Sequence, residues 1–217
     1  MRGFKTEGII LKRKNFGEAD RILTVFTLSR GKISIVAKGV RRVTSRRAGN
    51  VELLNRVSLF LYQAKGMPLL TEAESIETYS KIKSNLALST YAYHIIELID
   101  KLTAENQENR ILYEHLVRVL QRFEKRPRQL LIRAFEVKIL SLMGFANFQE
   151  SLGFYLEEVG ENSKKLLKDL EFMSWDDIEK IKIEEKQALE LEGILRYHLE
   201  RVIEGPLKSR RFLKNVR

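Results

Sequence analysis

The hydrophobic repeat of this chain changes period near residue 79, from two to that of an α-helix, so the chain must build two different kinds of layer. Before the change, apolar residues come in short alternating runs. Ile33, Ile35 and Ala37 alternate with Lys32, Ser34 and Lys38, with Val36 out of step. Val57, Leu59 and Leu61 alternate with Ser58, Phe60 and Tyr62. Residues 8–11 and 22–28 are β-branched or aromatic runs of strand length, and 67–75 supplies a fifth. Glycines at 17, 31, 39, 49 and 66 separate them. Five short strands in so small a unit cannot cover an open sheet on both faces, and closing the sheet removes its edges. A five-stranded OB-fold barrel with one long basic loop is the expected form, spanning residues 1–79.

Residues 80–217 read as an all-α domain, making the whole an α+β chain. Leu88, Tyr91, Ile95, Leu98, Ile99 and Leu102 share a helical face, as do Leu112, Leu116, Val119, Leu120 and Phe123. Pro127 suits the first turn of a third helix and Gly144 its C-terminal cap. Residues 130–143 are apolar on most faces, which predicts a central buried helix whose Leu131, Phe135, Ile139 and Leu142 pack on Ile95, Leu98, Leu112 and Leu116. Residues 146–162 show no clear period and form an irregular insertion, pinned by Phe148, Phe154 and Tyr155. Ser163 and Ser174 are expected N-caps, the second with Asp177 three residues on. Ala188, Leu191, Leu195, Leu199 and Val202 mark a long helix, and 208–213 a short closing one.

Charge is segregated along the chain. The first 50 residues hold thirteen Lys/Arg against three acids, a surplus of ten that equals the formal charge of the whole protein. Residues 150–204 are acidic, with fifteen acids against eight bases, and 205–217 hold five bases and no acid. Arg122, Lys125, Arg126 and Arg128 form another basic knot around Glu124. A dense cationic surface repels itself on folding and usually faces a polyanion. Nucleic acid leads, because each neutralised phosphate releases counterions; a membrane surface is the rival. No run of about 18 apolar residues exists to span a bilayer, and the first residues lack the apolar stretch of a signal peptide. A cytoplasmic location is the expectation.

No catalytic constellation is found. Cysteine is absent, which removes disulfides, thiol nucleophiles and Cys-ligated zinc. His94, His115 and His198 are scattered, without a metal-binding spacing, and His198 reads as a packed or capped histidine. Gly31-Lys32 resembles the end of a phosphate loop, but position 26 is Phe and position 33 is Ile. Asp176-Asp177 suits a helix start, and Trp175 an apolar anchor there. Neither metal nor cofactor is expected.

Binding features are richer. The loop from Lys38 to Gly49 presents Lys38, Arg41, Arg42, Arg46 and Arg47 with no acid, and Lys12-Arg13-Lys14 form a second cluster. Guanidinium forks grip phosphate without reading sequence. Phe4, Phe16, Phe26, Phe60 and Tyr62 are interleaved with these strands; they either fill the barrel or stack bases.

Several motifs in order then resemble the RecO recombination-mediator and DNA-repair proteins of bacteria. They run from Glu7-Gly8-Ile9-Ile10-Leu11-Lys12 through Phe16-Gly17-Glu18-Ala19-Asp20-Arg21-Ile22-Leu23-Thr24-Val25-Phe26-Thr27 and Gly31-Lys32. Ala37-Lys38-Gly39-Val40-Arg41-Arg42, Ser45-Arg46 and Leu70-Thr71-Glu72-Ala73 follow. Arg133-Ala134-Phe135-Glu136, Leu142-Met143-Gly144-Phe145 and Leu207-Lys208-Ser209-Arg210-Arg211-Phe212-Leu213 complete the set. The resemblance implies an N-terminal OB-fold, a helical domain, and non-enzymatic work. That work is binding single- and double-stranded DNA, annealing complementary strands, and helping RecA replace the single-stranded-DNA-binding protein, usually with RecR. Many members carry four zinc-binding cysteines after the Gly-Phe/Tyr of the buried helix; here 146–162 has none, and packing must replace the metal.

The DNA-binding residues expected on this reading are Lys12, Arg13, Lys14, Arg21, Lys38, Arg41, Arg42, Arg46 and Arg47, extended by Lys208, Arg210 and Arg211 if they share a face. A rival reading is an adaptor whose basic patches receive acidic protein tails, such as that of the single-stranded-DNA-binding protein, with DNA contact secondary. An RNA-binding OB protein is a third.

Overall fold

Residues 3–63, 65–148 and 159–209 are described in this computed structural model of the 217-residue chain. Two compact units are present: one runs to Ser80 and takes in Thr103–Glu114, the other comprises Lys81–Leu102 and the chain from His115 onward.

The first unit is a closed barrel of β1 (Gly3–Phe16), β2 (Asp20–Thr27), β3 (Gly31–Ala37), β4 (Arg56–Tyr62) and β5 (Leu69–Glu77), in the order β1-β2-β3-β5-β4. This is the OB arrangement that the alternating runs predict. β1 is longer than its apolar run because it serves two neighbours. Residues 3–9 pair with β4, residues 8–16 pair with β2, and a register shift between Ile10 and Lys12 bends the strand between them. The alternation places Leu23, Val25, Ile33, Ile35, Val57, Leu59 and Leu61 in the barrel core, with Val40 and Val51 of the long loop added to them.

Phe26 and Lys32 break that alternation and are nevertheless buried. The reason lies seventy residues on. Asn106 donates its N–H to the Lys32 carbonyl at 2.8 Å, and Ser34 Oγ donates to Glu105 at 3.1 Å. The Tyr113 and Phe26 rings lie 6.1 Å apart. Residues 103–114 thus cover the outer face of β2 and β3. Gly31 is required for this: its φ is +62°, and a Cβ there would sit 1.8 Å from the Gln107 carbonyl oxygen.

The helices are α1 (Ser80–Ser84), α2 (Leu86–Leu102), α3 (Arg110–Lys125), α4 (Gln129–Leu142), α5 (Glu161–Phe172), α6 (Trp175–Lys180) and α7 (Glu185–Val202). In the second unit α4 meets α2, α5, α6 and α7 and is buried without interruption from Leu130 to Leu140, as its apolar faces predict. Leu142 is only half-buried, and Leu112 belongs to the barrel unit. Gly144 ends α4 in the left-handed region (φ +80°), with its own N–H on the Ser141 carbonyl and that of Phe145 on Leu140.

Two expected helix starts differ. Arg128, extended, is the N-cap of α4, so Pro127 precedes the helix rather than opening it. Gly160 is the N-cap of α5; Ser163 lies buried in the first turn, where its hydroxyl donates a charge-assisted bond to the Glu190 carboxylate at 2.5 Å instead of accepting from a backbone N–H as a cap would. Ser174 does cap α6, accepting from the Asp177 N–H at 3.2 Å. Trp175 is buried there and donates to His115 Nδ1 at 3.0 Å. Phe148 packs its ring 4.6 Å from that of His198, while Phe154 and Tyr155 fall outside the described residues.

The buried charges of α4 are all paired. Arg133 donates twice to Glu136 at 2.7 and 2.8 Å, and Glu136 meets His94 Nε2 at 2.6 Å. Lys138 donates to the Glu171 and Met173 carbonyls at 2.9 and 2.8 Å, closing the end of α5.

His198 is buried, with its Nε2 on the Phe145 carbonyl at 2.6 Å. Burial holds its pKa below the ordinary histidine value; Arg201 adds to this and the Phe145 bond opposes it. As pH falls through about 6.5, the unfolded chain takes up this proton before the folded one, so the folded state loses stability. We expect the melting temperature to fall more between about pH 7 and pH 5 in the native protein than in His198→Gln. Parallel curves would show that His198 does not couple stability to pH.

Candidate nucleic-acid interface

The β1–β2 turn and the loop between β3 and β4 are built against each other. Gly39 N–H donates to Asp20 Oδ1 at 2.7 Å and Arg41 N–H to the Ala19 carbonyl at 2.9 Å. The Arg41 guanidinium reaches the Gly17 carbonyl at 3.3 Å. Farther on, Leu54 N–H and the Asn55 carbonyl bond both main-chain groups of Ile10, at the bend of β1. Successive turns hold the stretch between, with Ser45 N–H on Arg42, Ala48 on Ser45 and Asn50 on Arg47. A glycine-containing cationic segment would be mobile if solvated on all sides; here Val40, Val51 and Leu54 are buried anchors along it.

The cations of this segment have two fates. Lys14, Lys38, Arg41, Arg42 and Arg46 are exposed, and among the described residues they form no ion pair. Lys12 is exposed beside them on β1. Arg13 and Arg21 are half-buried and share one carboxylate, Glu52, which pairs with Arg13 and lies 3.6 Å from Arg21. Arg47 is held on backbone. Its guanidinium donates to the carbonyls of Leu70 at 2.6 Å, Lys38 at 2.8 Å and Thr71 at 3.3 Å. Arg47 therefore fastens the loop to β5, a role its place in a basic run did not suggest. Glu52 and Asn50 were equally silent in the sequence; Asn50 donates to the Ala73 carbonyl at 2.8 Å and extends the same seam.

The aromatics also divide. Phe26 is fully buried, and Phe4 lies under the Arg30 guanidinium, 3.7 Å from its ring centre. Phe16, at the end of β1, and Phe60, on β4, are exposed.

In the helical unit, Lys208 and Ser209 donate their N–H groups to Glu97, both at 2.9 Å, and Ser209 Oγ donates to the same carboxylate at 2.6 Å. These bonds hold Glu97 below the usual carboxylate range against the opposing effect of burial. Arg210 and Arg211, and the rest of the expected closing helix, lie outside the described residues. A cleft of about 550 Å³ is lined by Arg118, Gln121, Arg122, Lys125, Asp176 and Glu179, but its Arg122 is already paired with Asp176 and Glu179. Among the described residues no cluster of three or more His, Asp or Glu could hold a metal, and no helix is long and apolar enough to cross a membrane.

Two family models match in chain order: Recombination protein O N terminal over residues 1–79 and Recombination protein O C terminal over residues 83–147. The chain belongs to the RecO family. A DNA repair protein RecO of Acetivibrio thermocellus is 36% identical over 70% of this chain, and the match spans 61% of that relative's own length. Proteins of the same name from Moorella thermoacetica and Desulforamulus reducens are 25% and 27% identical over 98% and 100% of this chain, and over 91% and 96% of their own lengths. In this RecO-family chain the first matched stretch is the barrel bearing the cationic loop.

The two fates of the cations separate by mutation. Arg47→Ala removes three charge-assisted bonds to main chain and should cost about 1.5–3 kcal/mol. Arg41→Ala, Arg42→Ala and Arg46→Ala, on the surface, should each change stability by no more than about 0.5 kcal/mol. Urea unfolding of the four single variants checks this; an Arg47 variant as stable as the others would remove it from the seam.

Proposed function

We propose that this RecO-family protein serves DNA repair as a recombination mediator. It binds single- and double-stranded DNA, anneals complementary strands, and assists loading of RecA onto strands coated by the single-stranded-DNA-binding protein. RecR and the acidic tail of the single-stranded-DNA-binding protein are the expected protein partners. One observation carries the DNA-binding part. Lys14 on β1, and Lys38, Arg41, Arg42 and Arg46 on a loop fastened to the barrel, are exposed with no acid paired to them among the described residues.

The physics follows from that arrangement. Guanidinium and ammonium groups contact phosphate and leave base edges unread, so binding is independent of sequence. Two strands held by their backbones keep their bases free to pair. The bound cations also lower the phosphate repulsion that slows encounter between strands. Nothing in this scheme consumes a nucleotide.

With about five phosphates contacted on a single strand, the slope of log affinity against log salt should be roughly −3 to −4. Combined Arg41→Ala, Arg42→Ala and Arg46→Ala should flatten the slope by about two and weaken binding of single-stranded and duplex DNA alike. An unaltered slope would remove the loop from the interface. Purified protein should also speed pairing of complementary oligonucleotides without ATP. Stopped-flow annealing with and without ATP checks this, and an absolute requirement for ATP would count against the scheme.

A further inference from the structure

Phosphate gripping accounts for the cations of this surface but not for the phenyl ring among them. Phe16 is the last residue of β1 and is 53% exposed. The next residue, Gly17, has a φ of +57° and gives its carbonyl to the Arg41 guanidinium at 3.3 Å. Two residues later Ala19 accepts the Arg41 N–H at 2.9 Å, and Asp20 accepts that of Gly39 at 2.7 Å. Phe16 pairs with Asp20 across the hairpin, so the ring stands on the same short frame that fixes the loop. Val43, between Arg42 and Arg46 in sequence, is fully exposed as well.

More than half of the Phe16 surface is left in water, whereas the other rings of this β1–β2 pair are occupied: Phe4 packs on the core under Arg30, and Phe26 is buried against Tyr113. The ligand chemistry that matches an exposed phenyl ring next in chain to a glycine that holds a guanidinium is an unpaired nucleobase, with its π face on the ring and its phosphate on the cation. A duplex hides those faces in its own stack. We propose that Phe16 is the base-stacking residue of this interface, so that Phe16 with Arg41 and Arg42 distinguishes unpaired from paired DNA. This rests on the proposed DNA-binding reading and adds to it a residue and a strand preference.

The test uses the full chain, with an oligo(dT) of about 20 nucleotides and a blunt duplex of about the same length as probes. Phe16→Ala and Phe16→Leu should weaken oligo(dT) binding about 5- to 30-fold, the loss of one base–aromatic stack, and leave duplex affinity and both salt slopes unchanged. Phe16→Trp should retain oligo(dT) affinity, and its new indole fluorescence should be quenched by oligo(dT) and not by the duplex; the chain's single native tryptophan, Trp175, is buried. Wild-type oligo(dT) affinity in Phe16→Leu would overturn the assignment, because leucine keeps the apolar surface and cannot stack. An equal loss on both probes would also overturn it, by showing that Phe16 only shapes the turn. Arg41→Ala/Arg42→Ala, read on the duplex, tests the underlying reading separately: if duplex affinity holds there, the DNA interface itself is misplaced.

Discussion

Incomplete pairing between β3 and β5 is the constraint on which the rest of the barrel depends. The two strands meet at one residue pair, Val36 and Leu69, and Val36 N–H goes beyond β5 to the Pro68 carbonyl at 2.9 Å. Buried or half-buried main-chain groups left without partners cost free energy comparable to a lost hydrogen bond. Both strands find substitutes. On β5, Arg47 and Asn50 donate to the Leu70, Thr71 and Ala73 carbonyls. On β3, Asn106 donates to Lys32. The loop that presents the cations is thus recruited by the hydrogen-bonding deficit of the sheet, which is why so charged a segment is ordered.

The same logic of compensation governs the helical unit. Helix α4 is central, so its Arg133, Glu136 and Lys138 are taken out of water. Unpaired, such charges are strongly destabilising. Arg133, Glu136 and His94 satisfy one another, and Ser209 reaches His94 Nδ1 at 3.2 Å. Lys138 instead satisfies the carbonyls at the end of α5. Glu97, which accepts from Lys208 and Ser209, ties these two residues to α2.

Much of this was legible in the sequence. Period-two runs marked the strands because barrel interiors impose alternation, and the run from Leu130 to Met143 marked a buried helix because it is apolar on most faces. Ser174 and Gly144 were readable because caps depend on neighbours a few residues away. What escaped depends on partners distant in sequence. Nothing in residues 103–114 signals that they cover β2 and β3; the signal was Phe26 and Lys32, buried against the alternation. Ser163 looked like a cap because Glu190 lies 27 residues on. In the interface, a run of arginines reads as one class, and only geometry separates Arg47, bonded to three carbonyls, from Arg42 and Arg46. The ordered motifs carried the family assignment, whereas the fate of each cation needed the fold.

That separation bears on how a surface of this kind works. Each side chain ordered by a ligand costs conformational freedom, so a cation on a fixed backbone gives up less on binding than one on a mobile tail. Arg47 and Asn50 tie the loop backbone to β5, while Arg41, Arg42 and Arg46 keep exposed side chains. Glu52 has a second effect. By pairing Arg13 and Arg21 it lowers local repulsion among thirteen cations in the first fifty residues, without screening the loop at its exposed end. The unpaired positive charge is concentrated where the backbone is fastened, as the proposed phosphate contacts would require, and charge is neutralised at Arg13 and Arg21 on the barrel.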